Sequence, residues 1–152
     1  MKQIIKYLFL GTIGGILYLI IELLFRGYSF PSSFLMGCVS FIFCGMINEI
    51  LSWDTPLVLQ MLIGGTGITI IEFITGCIVN LLLKYNEWNY SSLPFNILGQ
   101  VCLLFSIIWC LLSFVAIVLD DYIRYWFFNE EKPRYKFLGD KYEINFRVFK
   151  VK

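Results

Sequence analysis

The sequence contains no histidine. That absence excludes imidazole-bound haem and His-ligated zinc, and it removes the side chain that changes charge most readily near neutral pH. Charge is scarce as well. Asp, Glu, Lys and Arg make up 15% of the 152 residues, where a soluble domain has about a quarter. Twelve basic against eleven acidic side chains leave +1, too little for a field that would hold nucleic acid. The Gly-x-x-x-x-Gly-Lys-Ser/Thr motif that cradles nucleotide phosphates does not occur, and the five cysteines include no Cys-x-x-Cys pair. Those cysteines read as small apolar packing residues. No cofactor is implied, and no residue pattern identifies an enzyme.

Apolar surface is what the chain has in excess. Hydrophobic residues account for 59% and aromatics for 18%, with a mean hydropathy of +0.76. A sphere of this size cannot hide so much apolar area, and a disordered chain would need the opposite composition. An integral membrane protein follows. Four segments, 4–25, 33–53, 56–83 and 95–119, each reach the roughly 20 residues that cross a bilayer core as helix, and the last is expected to run on to about 128. The first is too long for a secretory leader and carries Glu22 inside it. Residues 129–152 read as a tail. In it Tyr142, Ile144, Phe146 and Val148 alternate with polar neighbours after Gly139-Asp140, a hairpin pattern. A lone hairpin is marginal in water, so it should rest on helix ends, the membrane surface or a partner chain. The expected fold is an all-α four-helix transmembrane bundle with a short C-terminal β-hairpin. Ten of the twelve basic residues lie in the terminal segments, against Arg26 and Lys84 on the other side. By the positive-inside rule both termini then face the cytoplasm.

A charge at mid-bilayer costs about 2.5–3.5 kcal/mol on insertion scales, so polar residues inside spans need partners, water or a proton. Each span carries one stripe of small and polar residues, and the four stripes define the inside of the bundle. Depth sorts them into two groups. Glu22, Glu72, Thr75, Asn80, Asn96 and Gln100 fall in the outer half, and they are the candidates for binding a substrate or proton. Asn48, Glu49, Gln60, Asp120, Asp121 and Arg124 fall near the cytoplasmic end. Arg26 can pair with Glu22 and Arg124 with Asp120 at i,i+4, and Glu49 can reach Arg124. Glu72 has no basic residue within two turns on its helix. It is expected to be protonated and bonded to Gln100 or Asn96. Two readings of it stand: a carboxyl that only holds helices together, or a proton or cation site in a transport path. The cytoplasmic group either locks helix ends or, as Asp120, Asp121, Asn48 and Glu49 around Mg²⁺ with Arg124 near a phosphate, serves a lipid-headgroup enzyme. Gly64-Gly65-Thr66-Gly67 is either a close-packing surface or a helix break. Gly11-x-x-x-Gly15 and the open hairpin edges are candidates for joining chains into a homo-oligomer within the lipid bilayer.

Several of these residues form a longer pattern. Glu72-Phe73-Ile74-Thr75-Gly76, Asn80, Trp88-Asn89-Tyr90-Ser91, Leu93 to Gln100 and Leu119-Asp120-Asp121-Tyr122-Ile123-Arg124, with Gly11, Gly15, Glu22 and Asn48-Glu49, resemble the bacterial "Putative ABC-transporter type IV" or CmpB-type membrane family. That family also includes vertebrate transmembrane protein 229. The resemblance covers about Lys6 to Phe128. It implies a small multi-pass membrane protein of the kind labelled a permease. A separate ATPase subunit would then be a partner, and the turn at Asp54-Thr55 is too short to receive it. Only the C-terminal region is left to do so. The alternatives are a non-catalytic scaffold or accessory subunit, and the headgroup enzyme above.

Overall fold

The computed structural model describes residues 2–137 and the backbone of the short strand Glu143–Ile144. It is 71% helical, with four helices long and apolar enough to cross a membrane. They are α1 (Lys2–Arg26), α2 (Pro31–Ile50), α3 (Leu57–Gly76) and α4 (Leu103–Phe128). Hydrocarbon offers no hydrogen bonds, so a spanning backbone must satisfy itself, and these apolar runs become helices for that reason. The breaks are local chemistry. Gly27 turns with φ +76°, extended Phe30 leads into Pro31 at the start of α2, and extended Leu51 ends that helix before the tight turn that precedes Pro56. α3 continues without a break into a π-helical turn, Cys77–Leu82, and the two together run for 26 residues. That is about 39 Å of helix, more than the ~30 Å core requires.

The fourth helix departs from the sequence expectation. It begins at Leu103, whereas the apolar segment begins at 95. The intervening residues form a small antiparallel hairpin, β1 (Asn96–Ile97) with β2 (Val101–Cys102), in which Asn96 pairs with Cys102. Phe95, Leu98 and Gly99 take left-handed backbone conformations, φ 54°, 52° and 69°, which a helix cannot contain. Asn96 and Gly99 are the turn residues in this stretch, and composition hid them among Phe, Ile and Leu.

α1 packs on α2, α3 packs on α4, and α2 touches both α3 and α4, while α1 and α4 meet sparingly. A cleft therefore opens between α1 and α4. Its inner part, about 100 Å³, lies among Leu17, Tyr18, Trp109 and Leu112. An adjoining cavity of about 250 Å³ continues past Glu22, Arg26 and Tyr90. The start of α1 and the end of α4 lie at one end of the bundle, where Lys6 bonds Glu130 at 2.6 Å. The tail expectation is met for its first rung: β3 (Tyr135–Lys136) pairs antiparallel with β4 (Glu143–Ile144), Tyr135 opposite Ile144. The turn at Gly139-Asp140 and the expected positions Phe146 and Val148 lie outside the described residues. Strand β3 rests on helix ends. Tyr135 is fully buried against Trp53, and Lys136 bonds Asp54 in the α2–α3 turn at 2.8 Å, which holds that carboxyl below its ordinary range.

Glycines set the helix spacing. A Cβ on Gly65 would lie 2.6 Å from the Cα of Cys110, and one on Gly64 would lie 2.7 Å from the Cβ of Ser113, so α3 and α4 approach almost backbone to backbone. Gly67 leaves room for Phe43 of α2. The Gly64–Gly67 cluster is thus a packing surface within a continuous helix, and it makes no break. Gly11 and Gly15 also face the chain itself, against Ile42, Phe34 and Cys38 of α2. They are spent on the α1–α2 contact and do not offer a face to a second chain. Replacing Gly65 by Ala should therefore lower thermal stability in detergent by about 1–3 kcal/mol, because backbone must move. Gly11→Ala meets only the movable tip of Ile42, at 3.0 Å, and should cost distinctly less. Equal melting temperatures for the two variants would contradict this account of the α3–α4 contact.

Candidate functional site

Glu72 lies on the α3 face that carries Gly65 two turns earlier, and it is 1% exposed. Side chains of a helix lean towards its N-terminus. In antiparallel neighbours that tilt brings side chains together: Glu72 leans down α3 while Trp109 leans up α4. They meet, with Trp109 Nε1 donating to Glu72 Oε2 at 2.8 Å. The other oxygen, Oε1, accepts from the Tyr90 hydroxyl at 3.1 Å. Tyr90 belongs to the connection between α3 and α4 and stacks on Phe105, ring centroids 4.6 Å apart. Burial, then the Glu72 carboxyl beside it, pushes the Tyr90 phenol up, so it keeps the proton it donates. Tyr18 of α1 closes the site by packing its ring on Trp109. Among the described residues no cation bonds Glu72; its partners are neutral.

The expected partners are engaged elsewhere. Gln100 accepts from Asn80 Nδ2 at 2.9 Å, and Asn80 in turn accepts the Glu87 backbone N–H at 2.7 Å. Asn96 shapes the β1–β2 turn, donating to Leu93 O at 2.7 Å and accepting from Gly99 N at 3.1 Å. Thr75 faces the groove between α2 and α3. Glu22 pairs with Arg26 as the spacing suggests, and Ser29 also bonds it. The six outer candidates therefore do not line one chamber: Glu22, Glu72, the Asn80–Gln100 pair and Asn96 each sit in a network of their own, and Thr75 lies on a separate groove. Glu87 joins two of them: it is buried, it accepts from Ser32, and its carbonyl accepts from Arg26 at 3.2 Å. Glu87 and Tyr90 lie between the third and fourth apolar segments, and neither is a site candidate from the sequence. The signal for them was the run Glu87-Trp88-Asn89-Tyr90, rich in donors and aromatics for a simple connection.

The opposite end holds a second polar assembly. Arg124, 2% exposed, bonds Asp120 through Nε, and Asp120 packs its carboxyl on Gly45, where any Cβ would collide with it. Arg124 Nη1 lies 3.5 Å from Glu49 and 3.8 Å from Glu130. Asp121 accepts from Asn48 at 2.6 Å and from the Tyr135 hydroxyl at 2.8 Å. Burial and the Asp121 carboxylate push the Tyr135 phenol up, which keeps it a donor. Gln60 stands apart, donating to Thr55 O at 3.0 Å. Asp120 and Asp121 thus turn to different partners, and among the described residues no group of three His, Cys, Asp or Glu is arranged to hold a metal ion. Lys6 was missed because it arrives from a distant part of the chain, and Glu130 and Tyr135 because they lie beyond the apolar segment of α4.

Four apolar spanning helices with polar side chains turned inward define an integral membrane protein. The model of the family described as "Putative ABC-transporter type IV" matches residues 4–139, and the chain belongs to that family. No curated protein and no solved structure matches it.

Trp109→Phe keeps the ring and removes the N–H, leaving a buried Glu72 oxygen without its donor. A loss of about 1–3 kcal/mol is expected. In a Glu72→Leu background the same change should cost much less, giving a coupling energy near 1 kcal/mol in a double-mutant unfolding cycle. Strict additivity would mean that the Trp109–Glu72 bond contributes nothing.

Proposed function

We propose that this chain is a small transporter or permease component of a bacterial plasma membrane, and that Glu72 binds the proton or cation that accompanies transport. The observation that carries this reading is the company Glu72 keeps. Leaving a carboxylate uncompensated in a spanning segment costs several kcal/mol, and Glu22 and Asp120 meet that cost with Arg26 and Arg124. Trp109 and Tyr90 supply hydrogen bonds and no charge. A bound proton or cation is the counter-charge such a site lacks. Both partners also line the α1–α4 cleft, so a species entering between those helices reaches the carboxyl by displacing one hydrogen bond.

A second reading, a scaffold or accessory subunit, is favoured by one specific fact: both Glu72 oxygens are already bonded, and the carboxyl is almost fully enclosed. Under either reading the termini face the cytoplasm, as the basic residues require. A separate ATPase would then meet the C-terminal strand pair.

Reconstituted vesicles loaded with a pH-sensitive dye distinguish the two. For a proton-coupled protein, Glu72→Gln should fold and melt like the parent, because the amide keeps shape and hydrogen bonds, while dye-reported proton movement falls to the level of empty vesicles. Proton movement unaffected by Glu72→Gln, or absent from the parent, would leave the scaffold reading. Orientation is checked separately: a cysteine-free chain with one cysteine at position 152 should react with an impermeant maleimide only after the cells are opened. Labelling of intact cells would reverse the topology.

A further inference from the structure

A cavity of about 190 Å³ lies at the end of the bundle where α1 begins and α4 ends, away from Glu72. Asn48, Glu49 and Trp53 of the α2 end line it from one side, and Asp121, Arg124, Glu130 and Glu131 line it from the other. Carboxylates alone would say little, but the wall also contains a buried guanidinium that is only partly used. Arg124 is 2% exposed, its Nε is bonded to Asp120, and neither Nη1 nor Nη2 has a hydrogen-bond acceptor. Nη1 points towards the cavity, since its nearest carboxylates, Glu49 at 3.5 Å and Glu130 at 3.8 Å, are both lining residues that stop short of bonding it. The Asn48 amide oxygen is buried and unbonded as well.

The charges select the ligand. A bare anion reaching Arg124 would pass four carboxylates. A bare cation among those carboxylates would sit against the guanidinium. Only a molecule carrying both signs satisfies the wall. Two Nη donors in one plane match two oxygens of a phosphate or similar oxyanion. Glu49 has Arg124 as its ion-pair partner, whereas Glu130 is bonded by Lys6 and Glu131 is paired with Arg134 at 3.6 Å. Glu49 is therefore the carboxylate best placed to take an ammonium, with the Trp53 ring beside it. We infer that this cavity binds a zwitterionic aminoalkyl phosphate, with its oxyanion on Arg124 and its ammonium on Glu49. The group can arrive as a free aminoethyl phosphate or as the headgroup of phosphatidylethanolamine, since the cavity lies where helix ends meet the bilayer surface. The inference does not depend on the role of Glu72.

The full chain tests it in two arms. In the first, purified protein in detergent is titrated with O-phosphoethanolamine, ethanolamine and inorganic phosphate, and Trp fluorescence is followed. In the second, it is placed in nanodiscs of phosphatidylethanolamine or of phosphatidylglycerol, and retained lipid is read by native mass spectrometry. Saturable binding of O-phosphoethanolamine identifies the free molecule. Selective retention of phosphatidylethanolamine without it identifies the lipid. In either case Glu49→Gln should weaken binding by about tenfold with an unchanged melting temperature, because the Glu49 side chain is 42% exposed and carries little of the fold. Arg124→Gln should abolish binding, but it also strands Asp120, so the decision rests on Glu49→Gln. Failure of both arms overturns the inference. So does binding of phosphate or ethanolamine alone as tightly as the zwitterion, or binding indifferent to Glu49→Gln in a folded protein.

Discussion

The close approach of α3 and α4 is the contact on which the rest of the structure depends. In lipid there is no hydrophobic drive to bring helices together, so they associate through dispersion and hydrogen bonds, which need short distances. Gly64 and Gly65 supply the distance. With no side chain there, Ser113 Oγ comes near enough to bond the Met61 carbonyl at 2.9 Å, and Cys110 settles on the α3 backbone. Once those residues are in register, the N-terminal lean of helical side chains leaves Trp109 and Glu72 pointing at each other. A wider spacing would leave the indole N–H and Glu72 Oε2 both unbonded in hydrocarbon, each at a cost of a few kcal/mol. The glycines and the buried carboxyl are therefore one design viewed at two depths.

Electroneutrality accounts for where the other charges sit. Glu22 with Arg26 at one end, and Asp120 with Arg124 at the other, are i,i+4 pairs within single helices, formed before any helix packs. Glu49 and Glu130 then approach Arg124, and Lys6 pairs with Glu130. Between these two ends Glu72 has no cation, only aromatic donors. A Trp or Tyr can bond a carboxyl there at little desolvation cost, because most of its surface is apolar already. Aromatic partners fit that depth where Lys or Arg would not.

The four spans, their inward stripes and both i,i+4 pairs could be read from the sequence, because each depends on residues close together in the chain. Hydropathy says how long a segment is, and spacing says which face is polar. The partner of Glu72 could not be read the same way. Gln100 and Asn96 are the obvious amides if the fourth helix starts at 95, and that start rested on apolar content alone. Three left-handed residues among Phe95–Gly99 turn the stretch into a hairpin and move both amides into loop networks. Trp109 and Tyr90 looked like packing and interfacial residues, the commoner uses of aromatics in membranes. The cytoplasm-side polar group expected from depth does come together around Arg124, apart from Gln60, but Tyr135 reaches it only through the pairing of β3 with β4. Contacts of that kind are set by tertiary geometry, which carries no local pattern.

α4 is common to both polar assemblies. Trp109, Ser113, Asp120 and Arg124 follow one another at helical steps of four, seven and four, so they share a single face over roughly four turns. A rotation of α4 large enough to take Arg124 away from its cavity would also take Trp109 off Glu72 and Ser113 off the α3 backbone. The glycine contact opposes such a rotation, since Cys110 has no free space against Gly65. α1 offers less resistance, because it meets α4 sparingly and leaves the cleft at Tyr18 and Leu112 open. α1 and α2 form a second tight pair, with Gly14 against Phe41 and Gly15 against Phe34. Motion of α1 against α4 would therefore change the width of the cleft and the covering of Trp109 by Tyr18, while Trp109 and Tyr90 kept their bonds to Glu72.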